Sequence, residues 1–276
     1  MQIVTLMTDF GNKDYAVAAV KGAILSTVEN PQIVDISHEI TPYNPTEAAY
    51  ILRNAYKTFP EGSIHIIGVE SEKTPENQHL TMYFDGHYFI GADNGIFAMV
   101  KGDFKADKVV AINIHDQMPS DYPILEAFVW VAAHLSRNGS LDVVGKKVDQ
   151  IKEIKELRPV VNNTGDQILG AVIYVDNYGN VITNITRKFF NEVGKSRPFT
   201  IFARNVKFRV IYETYSDAID YNISKEKREE DGKKIALFND ADHLELAIYK
   251  SNSQTVGSAQ SLFGLEYRES ITIKFE

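Results

Sequence analysis

A helical period runs through the first half of this chain and is gone from the second, and that change limits the fold more than any motif does. Ile3 to Thr8 is a short apolar run that reads as a buried strand. Asp14 is placed to cap a helix carrying Val17, Val20, Ile24 and Val28 at helical spacing. Gln32 to Ile36 reads as a second strand. Pro45 and Thr46 then open a helix with Ala48, Ile51, Leu52, Ala55 and Phe59 on one face. Ser63 to Val69 is a third strand. The runs LTMYF and HYFIG flank Asp85-Gly86, a hairpin signal. Lys108 to Ile114 adds a strand, and Tyr122 to Arg137 is a helix around the single tryptophan, Trp130. Strands alternating with helices predict a mostly parallel sheet covered on both faces, an α/β sandwich.

Between Gly145 and Gly165 the chain becomes charged and carries Pro159, which sets a boundary between residues 1–155 and 165–276. Beyond it come QILGAVIYVD, VITNI, FTIFA, VKFRVIYETY, KIALF, HLELAIY and SITIKF. These short strand signals predict a smaller antiparallel β-barrel or sandwich domain.

Composition narrows the chemistry. The chain has no cysteine, which removes disulfides, thiolate zinc sites and thiol nucleophiles. Its net charge of −8 argues against broad contact with nucleic acid, and the basic stretch Lys225 to Lys234 interleaves four acids as a solvated loop. The start lacks a basic region and a long apolar run, and no stretch approaches the length of a membrane span. The expectation is a cytoplasmic protein with a small-molecule partner and neither nucleic acid nor membrane. No HExxH-like cluster is present, so no metal and no cofactor are expected.

The turn TDFGNKDY, Thr8 to Tyr15, follows a strand and opens a helix, where open α/β sheets bind ligands. It is not a GxGxxG, so it offers no glycine cradle for a pyrophosphate. A carboxylate there, Asp9 above all, is able to accept two hydrogen bonds from a ribose diol. Asp9 and Asp14 also read as ordinary turn and cap residues. Two further polar segments, GADNG at Gly91 to Gly95 and VDNYGNVITNI at Val175 to Ile185, read as turns or as sites.

These segments resemble one family. TDFG, the run Asp35 to Leu52, FPEGSIHII, GADNG, FVWVAAHL, DNYGNVITNI, TYSDA, and HLELA with GSA look like the SAM hydroxide adenosyltransferases, relatives of the fluorinase and chlorinase. The matches run in order over nearly the whole chain. The resemblance implies a homotrimer binding S-adenosyl-L-methionine (SAM) or adenosine between neighbouring subunits. By resemblance, Asp9 binds the ribose hydroxyls and Tyr43 walls the ribose and reaction centre. Asp176 holds the methionine amino group, Asn180 contacts the ligand and Tyr178 covers the adenine. Asp14 joins them as a ligand contact.

The implied reaction displaces methionine from C5′ of SAM with water, giving adenosine and L-methionine. Hydrolytic members share an Asp-Arg-His set for the water. Here Glu70 stands at the Asp position as the catalytic carboxylate, Asn77 at the Arg position and PILEAF, from Pro123, where the His segment begins. Three readings stay open: hydrolysis with Glu70 as base and Lys73, His79 or His115 as substitutes; displacement by another small anion; or non-catalytic binding of SAM or adenosine. His38 and His134 read as structural residues.

Overall fold

A computed structural model of the chain describes residues 1–115, 125–155, 157–228, 230, 232–252 and 255–276. It divides into two compact units, Met1–Glu156 and Leu157–Glu276.

The first unit contains β1 (Gln2–Thr8), α1 (Ala16–Thr27), β2 (Pro31–Ser37), α2 (Pro45–Ala55), β3 (Ile64–Gly68), β4 (His79–Phe84), β5 (His87–Ala92), α3 (Ile96–Lys101), β6 (Lys108–Ile112), α4 (Glu126–Ser136), α5 (Leu141–Val144) and β7 (Gly145–Lys147). Its described strands form one sheet in the order β2-β1-β3-β5-β4-β6-β7. The four strands β2, β1, β3 and β5 pair in parallel, and β6 runs with them because it and β5 are both antiparallel to β4. The β4–β5 hairpin turns at Asp85 and Gly86, both with positive φ, as an Asp-Gly type I′ turn requires.

Strand alternation gives the sheet two apolar faces. Val4, Leu6, Ile64 and Ile66 pack with α1 and α4, while Met7, Ile67, Met82 and Phe89 pack with α2 and α3. Each face is closed by helices whose apolar positions recur at helical spacing, Val17, Val20 and Ile24 on α1 and Ala48, Ala49 and Leu52 on α2. A polar chain lies inside the second face. Thr5 Oγ1 is 2.7 Å from His65 Nδ1, and His65 Nε2 is 3.2 Å from His87 Nδ1.

The second unit contains β8 (Val160–Val161), β9 (Gln167–Val175), β10 (Val181–Thr186), α6 (Arg187–Gly194), β11 (Phe199–Ala203), β12 (Val206–Phe208), β13 (Lys234–Phe238), β14 (His243–Ile248), α7 (Ala259–Phe263) and β15 (Ser270–Phe275). The sheet order is β12-β11-β15-β9-β10-β14-β13, antiparallel throughout, with β8 added to β9. Past β12 the chain returns to β13, where Tyr212 N donates to Ala236 O at 2.8 Å, so the sheet comes close to closing on itself. An α/β unit followed by an antiparallel barrel-like unit is the architecture the alternation predicts.

Several elements depart from the sequence reading. The helix after Asp14 starts at Ala16 with Tyr15 as its N-cap, and Asp14 Oδ1 accepts only from Ala16 N, at 3.1 Å. The second helix stops at Ala55, ahead of a single 3₁₀ turn at Tyr56–Thr58, so Phe59 lies outside it. Of VKFRVIYETY only Val206–Phe208 is strand, and Tyr215–Ala218 is a 3₁₀ turn. The expected helix from Tyr122 is present over Glu126–Ser136; its first residues, Pro123 among them, lie outside the described residues. Among the described residues, no helix is long and apolar enough to cross a membrane.

Candidate functional site

β1 has β2 on one side and β3 on the other, so the chain reverses its direction of travel across the sheet at the carboxyl ends of β1 and β3. Such a switch point leaves a crevice where the two crossover loops diverge. Asp9 follows β1 directly and Glu70 comes two residues after β3.

One oxygen of Asp9 organises the crevice. Oδ2 accepts from Tyr43 N at 3.1 Å and from Glu70 N at 3.1 Å. Both donors sit in left-handed backbone, Tyr43 at φ 59° and Glu70 at φ 43°. A non-glycine residue costs on the order of 1 kcal/mol there, so it persists where neighbours fix it. Asp9 is the neighbour shared by both. Both bonds use Oδ2, and Oδ1 accepts no hydrogen bond from the described residues. Tyr43 holds its ring outward, 78% exposed. Behind Asp9, Thr8 Oγ1 meets His38 Nδ1 at 2.8 Å and His38 Nε2 lies 3.1 Å from Asp35 Oδ1. That buried imidazole ties β1 to β2 and has a structural role.

The Glu70 turn is held from the carbonyl side as well. Asn77 Nδ2 donates to Glu70 O at 2.9 Å and Glu72 O at 3.2 Å, and Asn94 Nδ2 donates to Val69 O at 2.9 Å. His79 Nε2 donates to Ser71 O at 2.9 Å. Three side chains thus grip the carbonyls of four consecutive residues, which presets the backbone that carries the acid. Asn94 is positioned by the GADNG turn, where Gly95 has φ 98° and an added Cβ would lie 2.4 Å from Ile154 Cγ1. Only glycine fits that position.

In the second unit the DNYGN loop is built around Asp176. Its Oδ1 accepts from Tyr178 N at 2.9 Å and Asn180 N at 2.8 Å, and its Oδ2 accepts from Asn180 Nδ2 at 2.9 Å. Both carboxylate oxygens therefore shape the loop. The loop buries Asn180 and leaves the Tyr178 ring 66% exposed, a free flat face of the kind a purine stacks on. Glu245 on β14 is buried at 3% exposure and accepts a hydrogen bond from Tyr215 Oη. Burial, with the charges of Asp176 and Asp240, holds the Glu245 carboxyl above its usual range despite that bond.

The structure thus brings Asp9, Tyr43 and Glu70 together in the first unit and Asp176, Tyr178 and Asn180 together in the second. Asp14 stands apart, its one hydrogen bond among the described residues being to its own helix start. Sequence reasoning singled out the GADNG segment without assigning Asn94 its bond to Val69 O, and missed the buried Tyr215–Glu245 pair. A glutamate inside the apolar run HLELAI was the available signal for the latter. Asn77, where an arginine was expected, turns both amide hydrogens onto carbonyls. Among the described residues, no group of three His, Asp or Glu side chains is placed to hold a metal ion.

Family models for the SAM hydroxide adenosyltransferase N-terminal and C-terminal domains match residues 4–145 and 170–272. The (R)-S-adenosyl-L-methionine hydrolase of Methanocaldococcus jannaschii is 29% identical, over 99% of this chain and 96% of its own length. A fluorinase of Actinopolyspora mzabensis is 22% identical over 70% of this chain and 74% of its own length. A solved structure from Thermotoga maritima shares the fold at a TM-score of 0.82 and 24% identity, covering 98% of this chain and 99% of that one.

Proposed function

We propose that this chain, which belongs to the SAM hydroxide adenosyltransferase family, hydrolyses S-adenosyl-L-methionine to adenosine and L-methionine. The observation that carries the reading is the Asp9 carboxylate at the switch point, one oxygen fixing the Tyr43 and Glu70 turns and the other accepting no hydrogen bond from the described residues. The hydrolases among its relatives, one of them aligned over almost the full chain, support water as the nucleophile.

In this mechanism Asp9 Oδ1 accepts from the ribose hydroxyls while the Tyr43 ring walls the sugar. Tyr178 stacks on the adenine, Asn180 offers a polar contact, and Asp176 supplies negative charge near the methionine ammonium. Asp14, at the mouth of the same turn, is an outer contact. A water held by Glu70 attacks C5′ in line with the departing sulfur. The C5′–O bond forms, the C5′–S bond breaks, methionine leaves as a neutral thioether and the water gives up one proton toward Glu70. The sulfonium is already a good leaving group, so orientation and partial deprotonation are the main demands on the protein. A homotrimer sharing each ligand between neighbouring subunits, and a cytoplasmic setting, belong to the same reading.

Incubation with SAM and chromatography for adenosine test this directly. Turnover between pH 6 and 9 is expected, and Glu70→Gln should lower kcat by about 10²-fold or more. A second reading, a SAM or adenosine binder without turnover, is favoured by one observation: the Asn77 amide is committed to the Glu70 and Glu72 carbonyls. Saturable SAM binding with no adenosine at stoichiometric protein would select it. Failure of SAM, adenosine and methionine all to bind would sink both.

A further inference from the structure

Farther along the carboxyl edge of the first sheet, a cavity of about 650 Å³ opens between the start of β4 and the end of β6. Lys73, Lys146, Asn113 and the His79–His115 pair line it over an apolar floor that includes Ala111 and Ile112, and no carboxylate lines it among the described residues. That lining is unusual for a chain with 37 acids against 29 lysines and arginines. Lys21, Lys108 and Lys147 each pair with an aspartate, whereas Lys73 and Lys146 have no acidic partner among the described residues.

The histidine pair gives the cavity a fixed wall. His79 is 9% exposed. Its Nε2 donates to Ser71 O, and a carbonyl only accepts, so the neutral ring carries its proton on Nε2. His79 Nδ1 is then the acceptor for His115 Nε2–H at 3.0 Å, with the Phe128 ring 4.5 Å from His79. Burial keeps His79 in that neutral form, pushing it down to about 4.

We propose that this cavity is a second ligand site, taking a small organic molecule through an oxyanionic group, a phosphate or a carboxylate. Two ammonium groups with no acidic partner among the described residues line one cavity and sum their potentials, and an amide donor beside them gives direction. Occupancy would be felt at the candidate catalytic turn, because His79 joins the cavity wall to Ser71, next to Glu70. That last link rests on the hydrolase reading; the site itself does not.

Calorimetry on the full chain with inorganic phosphate, glycerol 3-phosphate and acetate tests the site and tells the phosphate source from the carboxylate one. Saturable binding of at least one probe is expected. It should weaken about tenfold in the Lys73→Gln, Lys146→Gln double variant, whose exposed side chains leave the fold intact, and persist in Asp9→Ala. No saturable binding, unchanged affinity in the double variant, or loss of binding in Asp9→Ala would each overturn the proposal. A protein that binds phosphate without turning over SAM would end the hydrolase reading and leave this one standing.

Discussion

At the scale of the residue, Asp9 sets two turns with one oxygen. Oδ2 holds the amides of Tyr43 and Glu70, which are 34 and 61 positions away in the chain. Asp9→Ala removes both charge-assisted bonds and should cost about 2 kcal/mol of stability, read from the urea midpoint. Asp9→Asn retains one acceptor oxygen and should lose less than half as much, while both variants weaken adenosine binding. An alanine variant as stable as the parent would show that Asp9 does not set the turn. The sequence shows a carboxylate after a strand and leaves two roles open, turn or ligand; the structure supplies the turn role. Partners so far away in the chain leave no local pattern, which is why their left-handed backbones were not legible.

At the scale of the element, α2 was legible because its start is chemically explicit. Asn44 accepts from Glu47 N at 3.2 Å, Pro45 follows it, and the Glu47 carboxylate takes bonds back from Asn44 Nδ2 at 3.1 Å and Thr41 N at 3.3 Å. Asn44→Ala should destabilise the first unit by about 1 kcal/mol, seen as a lower Tm; an unchanged Tm would show that the rest of the loop suffices. By contrast, α3 was not legible. IFAMVK is six residues long, buried at four of them, and has no polar face to reveal a period. The strands of the second unit were legible because residues alternate toward its core, as in the buried Ile271, Ile273 and Phe275 of β15. Its short helices α6 and α7 were not: α7 is too brief for two turns, and α6 spans little more than two.

At the scale of the molecule, acid acts with opposite sign on buried groups of the two units. Burial, helped by the neighbouring His87, pushes His65 down to about 3, and burial pushes His79 down to about 4. The unfolded chain protonates such rings near pH 6.5, so it binds more protons than the folded one below that pH. The first unit should therefore lose stability as pH falls from about 6.5 toward 4, at up to roughly 1.4 kcal/mol per pH unit for each ring. Glu245 works the other way: its folded carboxyl is raised, so this group adds stability as pH drops through the range just above the ordinary carboxylate value, opposed in the same unit by Asp166, Glu226 and Glu230, whose carboxyls are lowered. Urea unfolding at pH 5 and 7, followed by Trp130 fluorescence in the first unit, checks the sign. A higher midpoint at pH 5 by that probe would contradict it.

The place of β15 between β9 and β11 bears on how the protein is made. Of all the strands in that sheet it is the last to leave the ribosome, yet it belongs in the middle. Until it emerges, β9 and β11 each present an edge with no neighbour, and a growing chain in that condition invites pairing with other polypeptides. The second unit is thus a structure with a gap reserved at its centre throughout translation, and the interval before β15 arrives is when a chaperone has most to guard.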